Sequence, residues 1–150
     1  MIRVVLAVVL TVALLAAATP AIDEGRQSRT ATHLDSVTDR IERAARSLLA
    51  HEDPTPPETV APRRIVRFRL RPRSWTAAGA TVRIDGERDV IAYRIQGGRP
   101  HRTTLPGVDL RTPDGPFVYG PGRHRLVVSL VRDRGVGVVF ARTEGEIEKR

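Results

Sequence analysis

The chain has no cysteine, one methionine, one tryptophan, two tyrosines and three phenylalanines in 150 residues. Without cysteine there is no disulfide, no thiolate zinc site and no cysteine nucleophile. Export is not thereby excluded, because many exported domains fold without disulfides. So few aromatics leave little for stacking on nucleic-acid bases once a core is built, and nucleic acid is the weakest of the anionic partners to expect. The length allows one compact domain with an appendage, and not a two-lobed enzyme with a cleft between lobes.

Charge is also missing from one long stretch. From Val4 to Ile22 there is no ionisable side chain, and Thr11 and Thr19 are the only hydroxyls among Val, Leu and Ala. A helix over that stretch reaches about 28 Å, close to the roughly 30 Å of a bilayer's hydrocarbon. Residues 1–22 are therefore expected to be a transmembrane anchor or a signal segment. Ala16-Ala17-Ala18 and Thr19-Pro20-Ala21 offer small residues for a signal peptidase, but the run is longer than a signal-peptide core, and a retained anchor is expected. Arg3 precedes the run, whereas Asp23 and Glu24 follow it. The positive-inside tendency then places the N-terminus in the cytoplasm and the rest outside, or secreted if the segment is cut.

What is abundant is arginine. The net charge is +8, and every basic residue except Lys149 is Arg. Residues 1–62 carry six Arg against eight acids, whereas residues 63–150 carry 19 basic residues against nine acids. Such a bias attracts anionic surface polymers or lipid headgroups. The plainer account is a GC-rich genome choosing Arg wherever a solvated cation serves.

Residues 23–51 read as an amphipathic stalk helix. Leu34, Val37, Ile41, Ala44 and Leu48 follow a 3-4-3-4 spacing, and Asp39–Arg43 and Glu42–Arg46 are i, i+4 acid–base pairs. Two heptads are too few for an isolated coiled coil, so the seam needs either the chain's own sheet or a partner helix. Leu34, Val37, Ile41 and Leu48 are the candidate partner seam. Pro54, Pro56 and Pro57 end the helix, and residues 52–62 form a proline-rich, acidic linker.

Beyond it the period becomes two. Val66, Phe68 and Leu70 alternate with Arg67, Arg69 and Arg71, giving one apolar and one charged strand face. Strand patterns recur over Ala80–Ile84, Val90–Ile95, Arg102–Leu105, Val108–Arg111, Arg123–Val131 and Val136–Arg142, separated by Gly-, Asp- and Pro-rich turns. The expected class is α+β: an N-terminal transmembrane and stalk helix, then an antiparallel β-domain of about seven short strands over residues 63–142. The sheet would fold as a sandwich or wrap over the stalk. Residues 143–150 read as a charged tail.

No catalytic constellation emerges. His33, His51, His101 and His124 lie far apart, in no metal-ligand spacing. Ser74 and Ser129 lack a strand-to-helix elbow, and the glycine pairs read as hairpin turns with no helix to hold a phosphate. No catalytic, cofactor or metal residue is assigned, and a non-enzymatic protein is expected. Arg67, Arg69, Arg71 and Arg73, with Trp75 close by, are the candidate anion-binding face, alternatively a solvated strand face that discourages edge pairing.

Anchor, stalk and terminal β-domain together resemble the type IV pilin and pseudopilin plan. The run Asp89-Val90-Ile91-Ala92-Tyr93-Arg94-Ile95-Gln96-Gly97-Gly98, followed by Arg102, is similar to the Tyr-Arg-hydrophobic-x-Gly-Gly strand-turn of pilin-like heads. The whole chain resembles a family of small haloarchaeal membrane-anchored proteins associated with type IV pilus and secretion gene clusters. The segments that carry this are Met1–Asp23, Glu52–Pro57, Arg73-Ser74-Trp75-Thr76 with Ala78-Gly79, Ile91–Gly98 and Gly122-Arg123-His124-Arg125-Leu126. The resemblance implies an accessory role in a surface filament or secretion apparatus, with pilin-like or apparatus helices as partners. It differs from prepilins in having no Glu before Asp23.

Overall fold

The computed structural model describes residues 2–113 and 115–143. The chain forms one long helix and eight strands: α1 (Ile2–His51), β1 (Arg63–Leu70), β2 (Ala80–Asp85), β3 (Val90–Ile95), β4 (Pro100–Thr104), β5 (Leu110–Arg111), β6 (Phe117–Tyr119), β7 (Gly122–Asp133) and β8 (Val136–Thr143). Strands β1-β7-β8-β5 make one sheet and β4-β3-β2-β6 the other. The architecture is α+β.

Helix α1 has two unlike halves. The first is apolar on every side and bare: Val4, Val5, Leu6, Leu10, Leu14 and Leu15 are all exposed. Its two hydroxyls are satisfied internally, Thr11 Oγ1 donating to Ala7 O at 2.8 Å and Thr19 Oγ1 to Leu15 O at 2.9 Å. The outer surface of this half thus offers no unsatisfied hydroxyl to lipid. The helix passes through Pro20 and ends at His51, whose Nδ1 donates to Ser47 O at 3.1 Å before Pro54 stops continuation.

The second half is the centre of the head. Leu34, Val37, Ile41 and Leu48 are 0–1% exposed and belong to one cluster with Val66, Phe68 and Leu70 of β1, Ile91 and Tyr93 of β3, and Leu126, Val128 and Leu130 of β7. Of the two covers open to the seam, the chain's own sheets or a partner helix, the structure shows the chain's own sheets. A β-domain this small supplies too little apolar surface without the seam residues. Ala45 replaces Ala44 as the fully buried rung. A helix with 3.6 residues per turn drifts off a strict heptad seam, and a sheet partner does not correct that drift. Glu42 and Arg46 pair at 2.8 Å, but Arg43 Nε donates to the main-chain carbonyl of Asp39 and not to its carboxylate.

The strand expectations hold at most positions, with three differences. A further strand, β6, pairs Val82 with Tyr119 and Ile84 with Phe117; its three residues are hidden between Pro116 and Gly120. Strand β5 joins β8 in parallel, Leu110 opposite Val139, so the first sheet is not purely antiparallel. Residues 52–62 are also not a free spacer. Thr55 bridges Val131, its carbonyl accepts from Arg132 N at 2.7 Å, and Glu52 pairs with Arg64 at 2.7 Å. The β7–β8 hairpin turns at Arg134-Gly135, both with positive φ (48° and 87°), the two-residue geometry that matches strand twist. Asp114 and the tail beyond Thr143 lie outside the described residues.

Tyr93 ties the second sheet to the helix by donating to Asp35 Oδ1 at 2.8 Å. Burial, then the hydrogen bond and charge of Asp35, pushes its phenol up from 10.0 to about 12. The unfolded chain releases this proton near 10, so the contribution to stability is intact below that pH and is lost as pH rises toward about 12. In urea titrations from pH 9 upward, the wild type loses stability across this window more steeply than Tyr93→Phe; parallel profiles would remove Tyr93 as the cause. At neutral pH, Ile41→Ala lowers head stability by about 2–5 kcal/mol, as for other fully buried aliphatics. An unchanged urea midpoint would mean that the seam is not core.

Candidate functional site

The alternation of β1 buries Val66, Phe68 and Leu70 and turns Arg67 and Arg69 to solvent. Strand β7 lies antiparallel beside it, with Arg67 opposite Arg125 and Arg69 opposite Arg123. Like charges directly opposite in a ladder destabilise it, so this four-arginine square needs another reason to exist than sheet stability. Among the described residues, no carboxylate lies within ion-pair distance of Arg67, Arg69 or Arg123. Elsewhere arginines do find acids, as Arg64 does with Glu52 and Arg111 with Asp109 at 2.8 Å.

The free edge of β1 is closed by the helix. Arg40 donates to Arg67 O at 3.3 Å, and His33 Nε2 donates to Arg69 O at 2.8 Å. These bonds satisfy two edge carbonyls that otherwise invite another strand. They also bring Arg40 and His33 to the arginine square. The result is a groove of about 770 Å³, open to solvent, with Arg40, Arg67, Arg69, Arg123 and Arg125 among its walls. Phe68, Tyr119 and His124 also line it, and their rings pack together with centroids 4.9–5.4 Å apart. His124 Nε2 donates to Gly120 O at 2.7 Å, which fixes that ring. Planar guanidinium groups gathered in this way suit carboxylate, sulfate or phosphate groups carried on a polymer.

The four arginines named from the sequence divide between two places. Arg67 and Arg69 belong to the groove. Arg71 and Arg73 lie past the end of β1, in the exposed β1–β2 connection. Arg40, Arg123, Arg125, His33 and His124 were not singled out as site residues. The one sequence signal for them is the alternation Arg123-His124-Arg125 at the start of β7, and it becomes a site only through the β1–β7 pairing. The four histidines are dispersed: His51 bonds within the helix, and His101 stacks on Tyr93 at 4.9 Å. No group of three or more His, Asp or Glu is assembled as a metal set among the described residues. Ser74 sits in a loop beside Thr76, and Ser129 lies within β7.

A bare apolar helix that continues into the core of a two-sheet domain defines the class: a single-helix, head-bearing α+β protein. Its N-terminal half is long and apolar enough to be a membrane anchor or a signal segment. Over residues 1–144 the chain matches the domain of unknown function DUF7311, and it belongs to that family. No curated protein and no solved structure matches it.

Replacing Arg67, Arg69 and Arg123 together by Gln tests the groove. Retention on a sulfated or carboxylated polymer at low salt falls on the order of tenfold, three exposed charges at roughly 0.5 kcal/mol each. The difference between variant and wild type closes at high salt, where exposed charges are screened. Equal retention at low salt would show a merely solvated face.

Proposed function

We propose that the protein is a non-catalytic, membrane-anchored envelope protein, a pilin-like accessory component of a surface filament or secretion apparatus. The observation that carries this reading is the division of α1. One uninterrupted helix is bare and apolar over its first half and forms the core of a β-head over its second. That is the plan of a subunit that stands in a bilayer by one end and presents its head by the other. On this reading the head lies outside the cell, following the weak charge asymmetry of Arg3 against Asp23 and Glu24.

The helix surface open to a partner is then the N-terminal half. The seam Leu34, Val37, Ile41 and Leu48 is occupied, and charging it would unfold the head before it touched any partnership. Helix–helix association within lipid relies on packing and small residues; Ala7, Ala13 and Ala16–Ala18 supply the small side chains here.

Photo-crosslinking residues placed one at a time at Val12, Ala13, Leu14 and Leu15 sample the full circumference at about 100° steps. In native membranes, one or two of the four should yield an adduct with a protein carrying its own N-terminal apolar helix, and the opposite positions only lipid. Lipid adducts at all four would end the filament-subunit reading.

A second reading is favoured by the arginine groove: an anchored or secreted binding module that captures an anionic surface polymer. It needs no helix partner, and the groove variant above addresses it directly.

A further inference from the structure

Chain direction fixes which loops face the anchor. Helix α1 enters the head at its N-terminal side and leaves it at His51, and β1 runs back toward the anchor. The β1–β2 connection, residues 71–79, therefore returns to the start of the head. Two hydrogen bonds hold it there: Arg26 NH1 donates to Ser74 O at 3.2 Å, and Ala78 N donates to Thr30 Oγ1 at 3.2 Å. Arg26 and Thr30 follow Ile22 by four and eight residues, about 6 and 12 Å along the helix. The headgroup zone of a bilayer extends roughly 5–8 Å beyond each side of the hydrocarbon. Ser74 is thus held at headgroup level whenever Val4–Ile22 spans.

The next residue is Trp75, the single tryptophan of the chain, and it is 77% exposed. The other aromatic side chains of the head, Phe68, Tyr93, Phe117, Tyr119 and Phe140, are buried or half-buried, so Trp75 alone presents a largely exposed ring to solvent. The loop that carries it is braced rather than slack. Ser74 N donates to Ala77 O at 2.9 Å, Gln96 N donates to Gly79 O at 3.0 Å, and Gly79 has a φ of 69° with Arg73 and Gln96 packed against it. Arg71 and Arg73 precede the tryptophan by four and two residues and are exposed.

Charge in the connections of the β-domain is sorted along the same axis, whereas α1 carries Asp23, paired with Arg26, and Glu24 at the anchor end. The three connections at the anchor end, residues 71–79, 96–99 and 120–121, contain Arg71, Arg73 and Arg99 and no acid. The acids described in the β-domain, Asp85, Glu87, Asp89, Asp109 and Asp133, all lie in or beside the connections at the far end. Several are structural there: Asp85, 4% exposed, pairs with Arg83 and Arg88, and Asp89 Oδ1 accepts from Leu110 N at 2.7 Å.

We propose that the 71–79 loop is a second membrane contact, with Trp75 inserted at the bilayer interface and Arg71 and Arg73 on anionic lipid headgroups of the leaflet facing the head. Tryptophan prefers that interface because its ring is amphipathic. Basic residues beside it are drawn to anionic lipid within a Debye length. The proposal rests on Val4–Ile22 being a spanning anchor, and it holds for whichever leaflet the head meets.

The single tryptophan makes the test direct, because its fluorescence reports this loop alone. Full-length protein is reconstituted into symmetric phosphatidylcholine vesicles with and without phosphatidylglycerol. Flotation reads the anchor, and acrylamide quenching reads Trp75. In floated vesicles containing phosphatidylglycerol, emission shifts to the blue and quenching falls several-fold relative to detergent. Arg71→Gln/Arg73→Gln floats equally but regains much of the acrylamide access. Protein that floats with Trp75 as accessible as in detergent overturns the docking and leaves the anchor standing. Protein that does not float at all overturns the anchor and the docking with it.

Discussion

Burial of the second half of α1 between two sheets is the constraint from which the rest follows. Leu34, Val37, Ile41, Ala45 and Leu48 supply one continuous apolar face, and both four-stranded sheets pack inward-facing residues in one cluster with it. The head therefore contains the helix as its centre rather than bearing it as an appendage. Because the same helix continues without a break toward Ile2, the position of the head relative to the apolar segment is set by main-chain geometry and not by a linker. Contacts between α1 and β3 join residues that are more than fifty positions apart, as Asp35 and Tyr93 are. Such non-local contacts raise the contact order of the head and slow its folding.

The same packing creates the charged groove. Sheet edges attract other strands, and β1 is an edge; Arg40 and His33 close it by taking the carbonyls of Arg67 and Arg69. The cation that protects the edge is thereby added to the strand's own outward arginines. Pairing with β7 adds two more. No residue in this cluster is unusual by itself. The concentration of charge arises because helix, edge strand and neighbouring strand meet there.

This explains how much was legible beforehand. The apolar run, the end of α1 at His51, the alternation of β1 and most strand positions were readable because each depends on local period and turn chemistry. The occupant of the helical seam was not: a 3-4 spacing says that one face is covered, and not by what. Strand β6 was lost because three residues between Pro116 and Gly120 carry too little period to register. The arginine square was half visible, since Arg67 and Arg69 declare themselves on one strand, but Arg123 and Arg125 join them only through a pairing across more than fifty residues. Trp75 was noted for its nearness in sequence to arginines. Its level above the anchor depended on the fold returning that loop to Arg26 and Thr30.

The two membrane contacts proposed above would have different physical roles. A spanning apolar helix is effectively irreversible, whereas arginines near an anionic surface contribute about 1 kcal/mol each. Arg71 and Arg73 with Trp75 therefore add little to residence in the bilayer. Their effect is on orientation. Pro20 lacks the N–H that would bond to Ala16 O, so the helix is weakest two residues before its apolar run ends. Helix and head move as one body, so the head tilts with the helix relative to the bilayer normal unless something at its base holds it. The braced, basic, tryptophan-bearing loop proposed to sit at headgroup level would supply that hold at a small energy. On the proposed readings, presentation of the arginine groove to a polymer would depend on the angle set at the base of the head, because loop and groove belong to one body.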